Sequence, residues 1–526
     1  MRVVNFLKWL TAAFGLFSIL ILSACDEGSE PAPTPNGNNR TYPLYAQSPE
    51  DIYGQIIFVE YSDGSVNFVI ELFNTASGTE HPAYLYFDNA IDGNDVRLTL
   101  APVNGATGGS QLRTSAFDDG TPLTFAQLLT YDGHVKVHKS AANQEIILAS
   151  GDIGGNALKG VEYTYEIAPV DTSGVTGTIT FSERFNEETL VEIETTGLSQ
   201  GSFPTHIHVN TAVEGGDISI SLADIQDNTS LTNVAALDAS AGGLKVSYDD
   251  LLDFDGHVNI HDPSDNSIIL GQADIGINEL TGVEISYNLE ERNASTVNGS
   301  LTFYERRSGE SLARIELENT MPDLMHPAHI HIGTAAQEEA GLKAVILNPV
   351  NGNTGVSETN IARLDPEVGG TPLTYQDLLI FDGYVNIHTT MTDATLLAQT
   401  DIGENALTAN SEVFALDNIP GVTGTATIFE RKNGNALVVL EITPVTGDHP
   451  AHIHGGSVAA GPGPIEITLT PVNSYGFSRT SVEEDDSGNP LTYADLIVYD
   501  GYINVHASET DLDTIIAQGD IGSNAN

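Results

Sequence analysis

The sequence predicts an all-β protein built of four tandem antiparallel β-sandwich domains with Greek-key-like topology, each interrupted by one short helical turn. Two observations predict this fold. Four motifs recur four times in the same order along the chain. Between them, apolar and polar residues alternate with a period of two, which is typical of strands with one buried face. Gly, Asn, Asp and Pro clusters separate these strands at short intervals, which favours an antiparallel arrangement.

The first two motifs mark strands in the first half of each repeat. The first is Gly-x-apolar-x-apolar-x-Glu, at residues 54–60, 177–183, 299–305 and 424–430. The second contains a His-x-His strand in three of the repeats, at residues 206–208, 329–331 and 452–454. In the first repeat, Tyr84 and Tyr86 take the two histidine positions.

The last two motifs lie in the second half of each repeat. The third is an aromatic-Asp-Gly turn and a strand that ends in histidine, at residues 131–138, 254–261, 381–388 and 499–506. The fourth is Asp-Ile-Gly-x-Asn, at residues 152–156, 274–278, 401–405 and 520–524. The fixed order indicates duplication of one domain of about 120 residues.

One short helix is predicted before the third motif of every repeat. A Ser or Thr is followed three residues later by Asp or Gln, which resembles a capping box. The capping residues would be Thr124, Ser247, Thr374 and Thr492.

The motif positions predict the domain boundaries. The four domains are expected at residues 40–158, 159–281, 282–408 and 409–526. Each is long enough to bury its own hydrophobic core. Residues 25–39 are acidic and rich in Pro, Asn and Gly, without apolar periodicity, and they are expected to form a flexible tether.

The N-terminus predicts export and a lipid anchor. Residues 1–24 have the layout of a signal peptide, with Arg2 and Lys8 before an apolar stretch that is short for a membrane span. Leu22-Ser-Ala-Cys25 resembles a bacterial lipobox, so Cys25 is expected to carry the lipid. A signal anchor or a chance cysteine is the alternative. The expected location is a bacterial membrane, with the protein facing the periplasm or the cell surface.

Composition excludes several classes of partner and site. The chain has 19 basic and 72 acidic residues and a formal net charge of −53. Such a charge repels nucleic acid and anionic lipid head groups. Cys25 is the single cysteine, so the domains contain neither disulfides nor cysteine-based metal sites.

The repeated strands resemble the chordin-type CHRD domain family. The resemblance rests on Ala-His-Ile-His-x-Gly at residues 328–333 and 451–456, and on Val-Asn-Ile-His or its variants at residues 258–261, 385–388 and 503–506. A strand containing Gln272, Gln399 or Gln518 follows. The resemblance covers residues 40–526, and it implies a binding or structural module outside the cytoplasm rather than a particular reaction.

The histidines are candidate metal ligands. Residues i and i+2 of a strand point to the same face, so each His-x-His presents two imidazoles together. If the third-motif strand lies alongside the His-x-His strand, each of three repeats gathers three histidines and an asparagine. Neutral imidazole is a suitable ligand for zinc or copper. The candidate ligands are His206, His208, His261, His329, His331, His388, His452, His454 and His506. The competing interpretation is that these histidines are hydrogen-bonded residues of the fold.

The predicted function is non-enzymatic. No metalloprotease, nucleophile-elbow, dinucleotide or P-loop motif is present. The sequence favours a membrane-anchored lipoprotein that displays four CHRD-like modules to an unidentified extracytoplasmic protein, glycan or matrix ligand. The alternative is a metal-binding or metal-dependent redox protein. If metal is bound, three sites per chain are expected, because the first repeat keeps only His138 from the set.

Overall fold

The computed structural model describes residues 32–337, 341–443 and 445–525. The predicted signal peptide, residues 1–24, and Cys25 lie outside the described residues. Antiparallel strands dominate the described ranges, and helices are confined to short turns, so the predicted all-β antiparallel class is confirmed. None of the described helices has the length and apolar character that a membrane span requires.

The chain divides into two compact units, residues 1–278 and 279–526. The elements of the first unit are β1 Pro35–Ala46, β2 Tyr53–Tyr61, β3 Val66–Phe73, β4 Glu80–His81, β5 Ala83–Phe87, β6 Asp95–Thr99, β7 Val103–Asn104, β8 Gly109–Thr114, α1 Phe125–Leu128, β9 Asp132–Ser140, β10 Asn143–Gly154, β11 Leu158–Pro169, β12 Thr176–Arg184, β13 Thr189–Thr196, β14 Ser202–Val209, β15 Ile218–Gln226, β16 Thr229–Val234, a 3-10 turn Ala239–Ala241, α2 Tyr248–Leu252, β17 Asp255–Asp262 and β18 Asp265–Gly276.

The second unit repeats this order of elements. They are β19 Leu280–Glu291, β20 Asn298–Arg306, β21 Ser311–Glu318, β22 Met325–Ile332, β23 Lys343–Asn351, β24 Val356–Ile361, a 3-10 turn Pro366–Val368, α3 Tyr375–Leu379, β25 Asp382–Thr390, β26 Asp393–Gly403, β27 Leu407–Ala415, β28 Thr423–Arg431, β29 Ala436–Thr443, β30 His449–Gly455, a 3-10 turn Val458–Ala460, β31 Ile465–Val472, β32 Phe477–Val482, α4 Tyr493–Leu496, β33 Asp500–Ser508 and β34 Asp511–Gly522.

The first unit holds two sheets. Residues 35–154 form a ten-stranded sheet in the order β4-β7-β8-β3-β2-β1-β10-β9-β5-β6. Residues 158–276 close into a barrel in the order β11-β12-β13-β16-β15-β14-β17-β18. Each sheet surrounds its own cluster of buried apolar side chains. The closed barrel has no free sheet edges, so it goes beyond the open sandwich that the sequence predicted.

The second unit also has two apolar clusters, in residues 287–406 and 414–521. An eight-stranded sheet in the order β23-β22-β25-β26-β19-β20-β21-β24 surrounds the first cluster. Two four-stranded sheets, β27-β28-β29-β32 and β31-β30-β33-β34, enclose the second. Strands β11, β19 and β27 begin at Leu158, Leu280 and Leu407, one or two residues before the predicted domain starts.

The predicted capping boxes are formed at all four short helices. In each, the side chain of the N-cap residue accepts a hydrogen bond from the backbone N–H of the third helical residue. The side chain of that third residue accepts a hydrogen bond from the backbone N–H of the N-cap residue. This reciprocal pairing satisfies backbone groups that a single helical turn cannot pair internally. The apolar side of each turn, such as Tyr375 and Leu378, is buried in the core.

The predicted tether, residues 25–39, is wrong in its last part. Strand β1 begins at Pro35, and it pairs with β2 through residues such as Asn39 and Val59. The side-chain amides of Asn36 and Asn38 donate to the carboxylate of Glu60 at 2.6 and 2.8 Å. Polar composition suggested a solvated segment, but side-chain hydrogen bonds to the neighbouring strand hold these residues at the sheet.

Candidate metal centre

Strand alternation places the histidines of the second motif on one face of the sheet. In β14, Ile207 is fully buried in the apolar core, so its neighbours His206 and His208 point to the opposite face. The adjacent strand β17 runs antiparallel, with Asn259 opposite His206 and His257 opposite His208. The same pairing joins β22 to β25 and β30 to β33.

The distal histidine of the third-motif strand lies close to this pair, beside a strand irregularity. The register between β17 and β18 shifts between Ile260 and His261, and the equivalent strands shift before His388 and His506. Such bulges re-aim a side chain. The ring centroid of His261 lies 5.1 Å from that of His206 and 5.6 Å from that of His208.

The structure therefore brings together the three histidines predicted in each of three repeats. One ring nitrogen from each member lies within 4.8 Å of the other two. We call these groups triad 2 (His206, His208, His261), triad 3 (His329, His331, His388) and triad 4 (His452, His454, His506). Ligand nitrogens around a tetrahedral zinc ion are about 3.4 Å apart, so small ring movements would produce a coordinating geometry.

Backbone carbonyls fix the tautomer of two histidines in each triad. In triad 2, Nδ1 of His208 donates to the carbonyl of Gly216 at 2.9 Å, and Nδ1 of His261 donates to that of Asn266 at 2.7 Å. A carbonyl can only accept, so Nδ1 carries the proton and Nε2 keeps its lone pair. The corresponding acceptors in the other triads are the carbonyls of Gly341, Ala394, Gly463 and Leu512. This is the outer-shell bonding that orients metal-ligating histidines.

Eight further ring nitrogens of the triads are buried without a hydrogen-bond partner in the described part of the chain. In triad 2 these atoms are Nδ1 of His206 and Nε2 of His208 and His261. In triad 4 the equivalent atoms, Nδ1 of His452 and Nε2 of His454 and His506, are also buried and unpartnered. In triad 3 this holds for Nδ1 of His329 and Nε2 of His331. An unpaired buried polar atom costs about 1–3 kcal/mol, and clusters of such atoms are rare in folded proteins.

Burial favours the neutral form of six of the triad imidazoles. It is the largest cause that lowers the pKa of His206, His261, His331, His452 and His506. Burial, together with the positive charge of Lys343 and the other two imidazoles, lowers the pKa of His329 to about 4. At neutral pH these rings offer lone pairs, and the neutral form is the one that binds metal.

An aromatic ring stacks on the second histidine of every triad. Tyr384 stacks on His331 with a centroid distance of 5.0 Å and an interplanar angle of 17°. The Tyr384 hydroxyl accepts a hydrogen bond at 2.9 Å from the backbone N–H of Gly341, and the carbonyl of Gly341 accepts from His331. Tyr502 does the same for His454 through Gly463. Our sequence analysis missed these residues, although each follows the Asp-Gly of the third motif.

The asparagine expected in each cluster has a different task. The side-chain oxygen of Asn259 accepts a hydrogen bond from Gln272 Nε2 at 2.8 Å. Asn386 and Asn504 accept in the same way from Gln399 and Gln518. Because these oxygens are engaged by the neighbouring strand, they support the sheet beside the triad.

The first repeat fills the equivalent position with its own hydrogen bonds. The hydroxyl of Tyr86 donates to Nε2 of His138 at 2.8 Å, the nitrogen whose counterparts are unpaired in triads 2 and 4. Nζ of Lys136 donates to the carbonyl of Gly93 at 3.0 Å and to the side chain of Asn94 at 3.3 Å. Burial raises the pKa of Tyr86 to about 12, so the phenol stays protonated and able to donate.

Other histidines match the hydrogen-bonding interpretation. Nδ1 of His81, His326 and His449 donates to backbone carbonyls at 2.8, 2.8 and 3.0 Å. His134 and His257 stack on the second-motif residue and donate to backbone carbonyls. The hydrogen-bonding interpretation therefore accounts for one ring nitrogen in each of these five histidines.

A buried ion pair links consecutive repeats within each unit. Nη1 of Arg184 lies 2.7 Å from Oδ2 of Asp152, the aspartate of the fourth motif. Oδ1 of the same aspartate accepts from the backbone N–H of Ala90 at 2.7 Å. In the second unit, Arg431 and Asp401 form the same pair at 2.8 Å. The sequence analysis assigned no role to these aspartates and missed the arginine.

The missed arginine has a signal in the sequence. The first motif is followed by Arg184, Arg306 and Arg431 in the later repeats, and by Tyr61 in the first repeat. All four residues occupy the same register position, opposite the beginning of the first strand of their repeat. The arginine is therefore found where another repeat precedes.

Comparison with known proteins adds no functional assignment. No family model matches the chain, and no curated protein shows significant similarity to it.

Proposed function

We propose that the protein is a metal-binding protein with three separate three-histidine sites, triads 2, 3 and 4. Two observations carry the proposal: three histidines lie within reach of one ion in each triad, and triads 2 and 4 each contain three buried ring nitrogens without a hydrogen-bond partner among the described residues. In a fold maintained by hydrogen bonds alone, such atoms would be costly. A metal ion would satisfy all three at once.

The first repeat supports this interpretation from within the same chain. Where the two histidines are replaced by Tyr84 and Tyr86, the distal His138 is paired with a phenol hydroxyl. The nitrogens of this position therefore need a partner, and the first repeat supplies one from the protein. In the other three repeats, a bound ion would take that role.

Zinc and copper are the ions that suit the donor set. Each group contains three imidazoles and no carboxylate or thiolate among the described residues. Neutral imidazole is a common ligand of Zn²⁺ and Cu²⁺, whereas Mg²⁺ and Ca²⁺ prefer oxygen ligands.

Zinc loading of the full-length mature chain is expected to give three equivalents per chain. The chain would be saturated with Zn²⁺ and separated from unbound Zn²⁺ by gel filtration. Mass spectrometry would then measure the number of zinc ions bound per chain. Removing one distal ligand by His388→Ala should lower the value to two. The matched variant His138→Ala in the first repeat should leave it at three. A value near zero, or an equal loss in both variants, would contradict the proposal.

We further propose that the protein is exported and held at a bacterial membrane by a lipid on Cys25. The support is the signal-peptide layout of residues 1–24 and the lipobox-like tetrapeptide. Four CHRD-like domains on this anchor would display several binding modules at once, and linked modules raise avidity. An extracytoplasmic protein, glycan or matrix polymer is the class of partner for such modules, and we propose a binding role rather than an enzymatic one.

The variant Cys25→Ala is expected to release the chain from the membrane fraction without changing its zinc stoichiometry. The lipid is the anchor that we propose, and the triads are far from Cys25 in the sequence. Fractionation of cells followed by a salt wash measures the release. Retention of the variant in washed membranes would show that another element anchors the chain.

A further inference from the structure

We propose that the ion in triad 3 binds a small monovalent anion, such as a carboxylate, and that Lys343 is the anion's second contact. The inference rests on the proposed metal binding and adds a ligand class to one of the three sites.

A zinc ion in triad 3 would have an open coordination position. The group has three nitrogen donors and no further histidine, cysteine or carboxylate donor among the described residues. Zinc usually takes four ligands, and sites with three protein ligands bind water or an exogenous ligand in the fourth position. The nearby Asn386 is unsuited to fill it, because its side-chain oxygen accepts a hydrogen bond from Gln399 at 2.8 Å.

Triad 3 is partly exposed at His388. His329 and His331 are 8% and 3% exposed, whereas His388 is only half-buried. A small anion could therefore approach the ion past the ring of His388, without rearrangement of the sheet.

Lys343 distinguishes triad 3 from the other two triads. The register of β22 and β23 places Lys343 opposite His331. At the same register position, triads 2 and 4 have Ile218 and Ile465. Directly opposed residues on neighbouring antiparallel strands lie on the same face of the sheet, so Lys343 shares a face with His331.

A lysine beside a cation site is unfavourable by itself. Two like charges a few Å apart repel each other, and the chain has only 19 basic residues against 72 acidic ones. An anion between the ion and the ammonium group of Lys343 would be attracted to both positive charges and would offset their mutual repulsion. The same anion would complete the coordination of the ion.

The test uses the full chain with a single triad left intact. His261→Ala and His506→Ala remove one ligand each from triads 2 and 4, so that Co²⁺ occupies triad 3 alone. Azide is titrated against the visible absorbance of the bound Co²⁺. A saturable spectral change is expected, and Lys343→Ile should weaken azide binding about fivefold, the effect of one nearby exposed charge.

The reciprocal variant provides a matched control. In a chain that retains only triad 2, through His388→Ala and His506→Ala, Ile218→Lys should strengthen azide binding about fivefold. Absence of bound Co²⁺ in all chains would reject the metal proposal and this inference with it. Bound Co²⁺ with a spectrum insensitive to azide would reject the open position and leave metal binding intact. Equal azide affinity with and without Lys343 would reject the role of the lysine.

Discussion

Replacing Tyr84 and Tyr86 by histidine and Lys136 by asparagine is expected to raise the zinc stoichiometry from three to four per chain. These substitutions rebuild the triad pattern in the first repeat, where His138 is already present. Nδ1 of His138 donates to the carbonyl of Gln144, so its Nε2 already has the lone pair that a metal needs. Removing the Tyr86 hydroxyl frees that nitrogen.

Lys136→Asn is an essential part of this design. In triads 2, 3 and 4, a glycine carbonyl after the second-motif strand accepts the Nδ1 proton of the second histidine. The equivalent carbonyl in the first repeat belongs to Gly93, and Lys136 occupies it at 3.0 Å. The substitution frees this acceptor for the imidazole introduced at position 86, and it removes a positive charge that would repel the ion.

Metal analysis of the triple variant measures the outcome. The double variant Tyr84→His with Tyr86→His, which retains Lys136, should bind the fourth zinc ion more weakly than the triple variant. If the triple variant is folded by circular dichroism and still binds three zinc ions, then three histidines at these positions are not sufficient, and the metal proposal loses its strongest internal comparison.

Arg431→Met is expected to lower the free energy of unfolding of the second unit by about 3–5 kcal/mol, the usual cost of removing one partner of a buried ion pair. The Arg431 side chain is fully buried, and that of Asp401 is 3% exposed. Burial raises the pKa of Asp401, and Arg431 is the largest opposing influence. Without the arginine, the carboxylate would be left buried and uncompensated.

Urea denaturation of the full chain measures this loss as a shift of the transition midpoint. Adding Asp401→Asn should recover a large part of the stability, because the amide needs no countercharge. Arg314→Met is the surface control. Arg314 lies 2.8 Å from Glu316 and is 39% exposed, so its loss should cost less than about 1 kcal/mol. Equal costs at Arg431 and Arg314 would show that the buried pair contributes no more than a surface pair.

The sequence was sufficient for features that depend on local pattern. The two-residue period predicted that His206 and His208 share a face of a strand, and Ile207 between them confirmed which face is the core. The capping boxes were predicted because a helix N-terminus is specified by residues only three positions apart. Repetition then extended each local prediction to the other repeats.

Features that depend on register or on long-range contacts could not be predicted in this way. Strand alternation placed His261 on the face of its strand, but its approach to His206 and His208 depends on the pairing of β14 with β17, which the sequence left as a condition. The carbonyl of Gly216 that orients His208 lies in a loop whose conformation the sequence does not determine. Arg431 and Asp401 belong to different repeats, and their fixed positions in the motifs do not specify that the two residues pair.

The arginine–aspartate contact also constrains how this chain can vary. The aspartate lies near the end of one repeat, and the arginine lies in the second strand of the next repeat. Each junction with this ion pair is therefore formed by one residue from each of two consecutive repeats. Insertion or removal of part of a repeat would leave the arginine or the aspartate without its oppositely charged partner. Insertion or removal of a whole repeat would restore the contact at the new junction. The array can therefore change length in whole repeats, and the number of proposed metal sites would change with it.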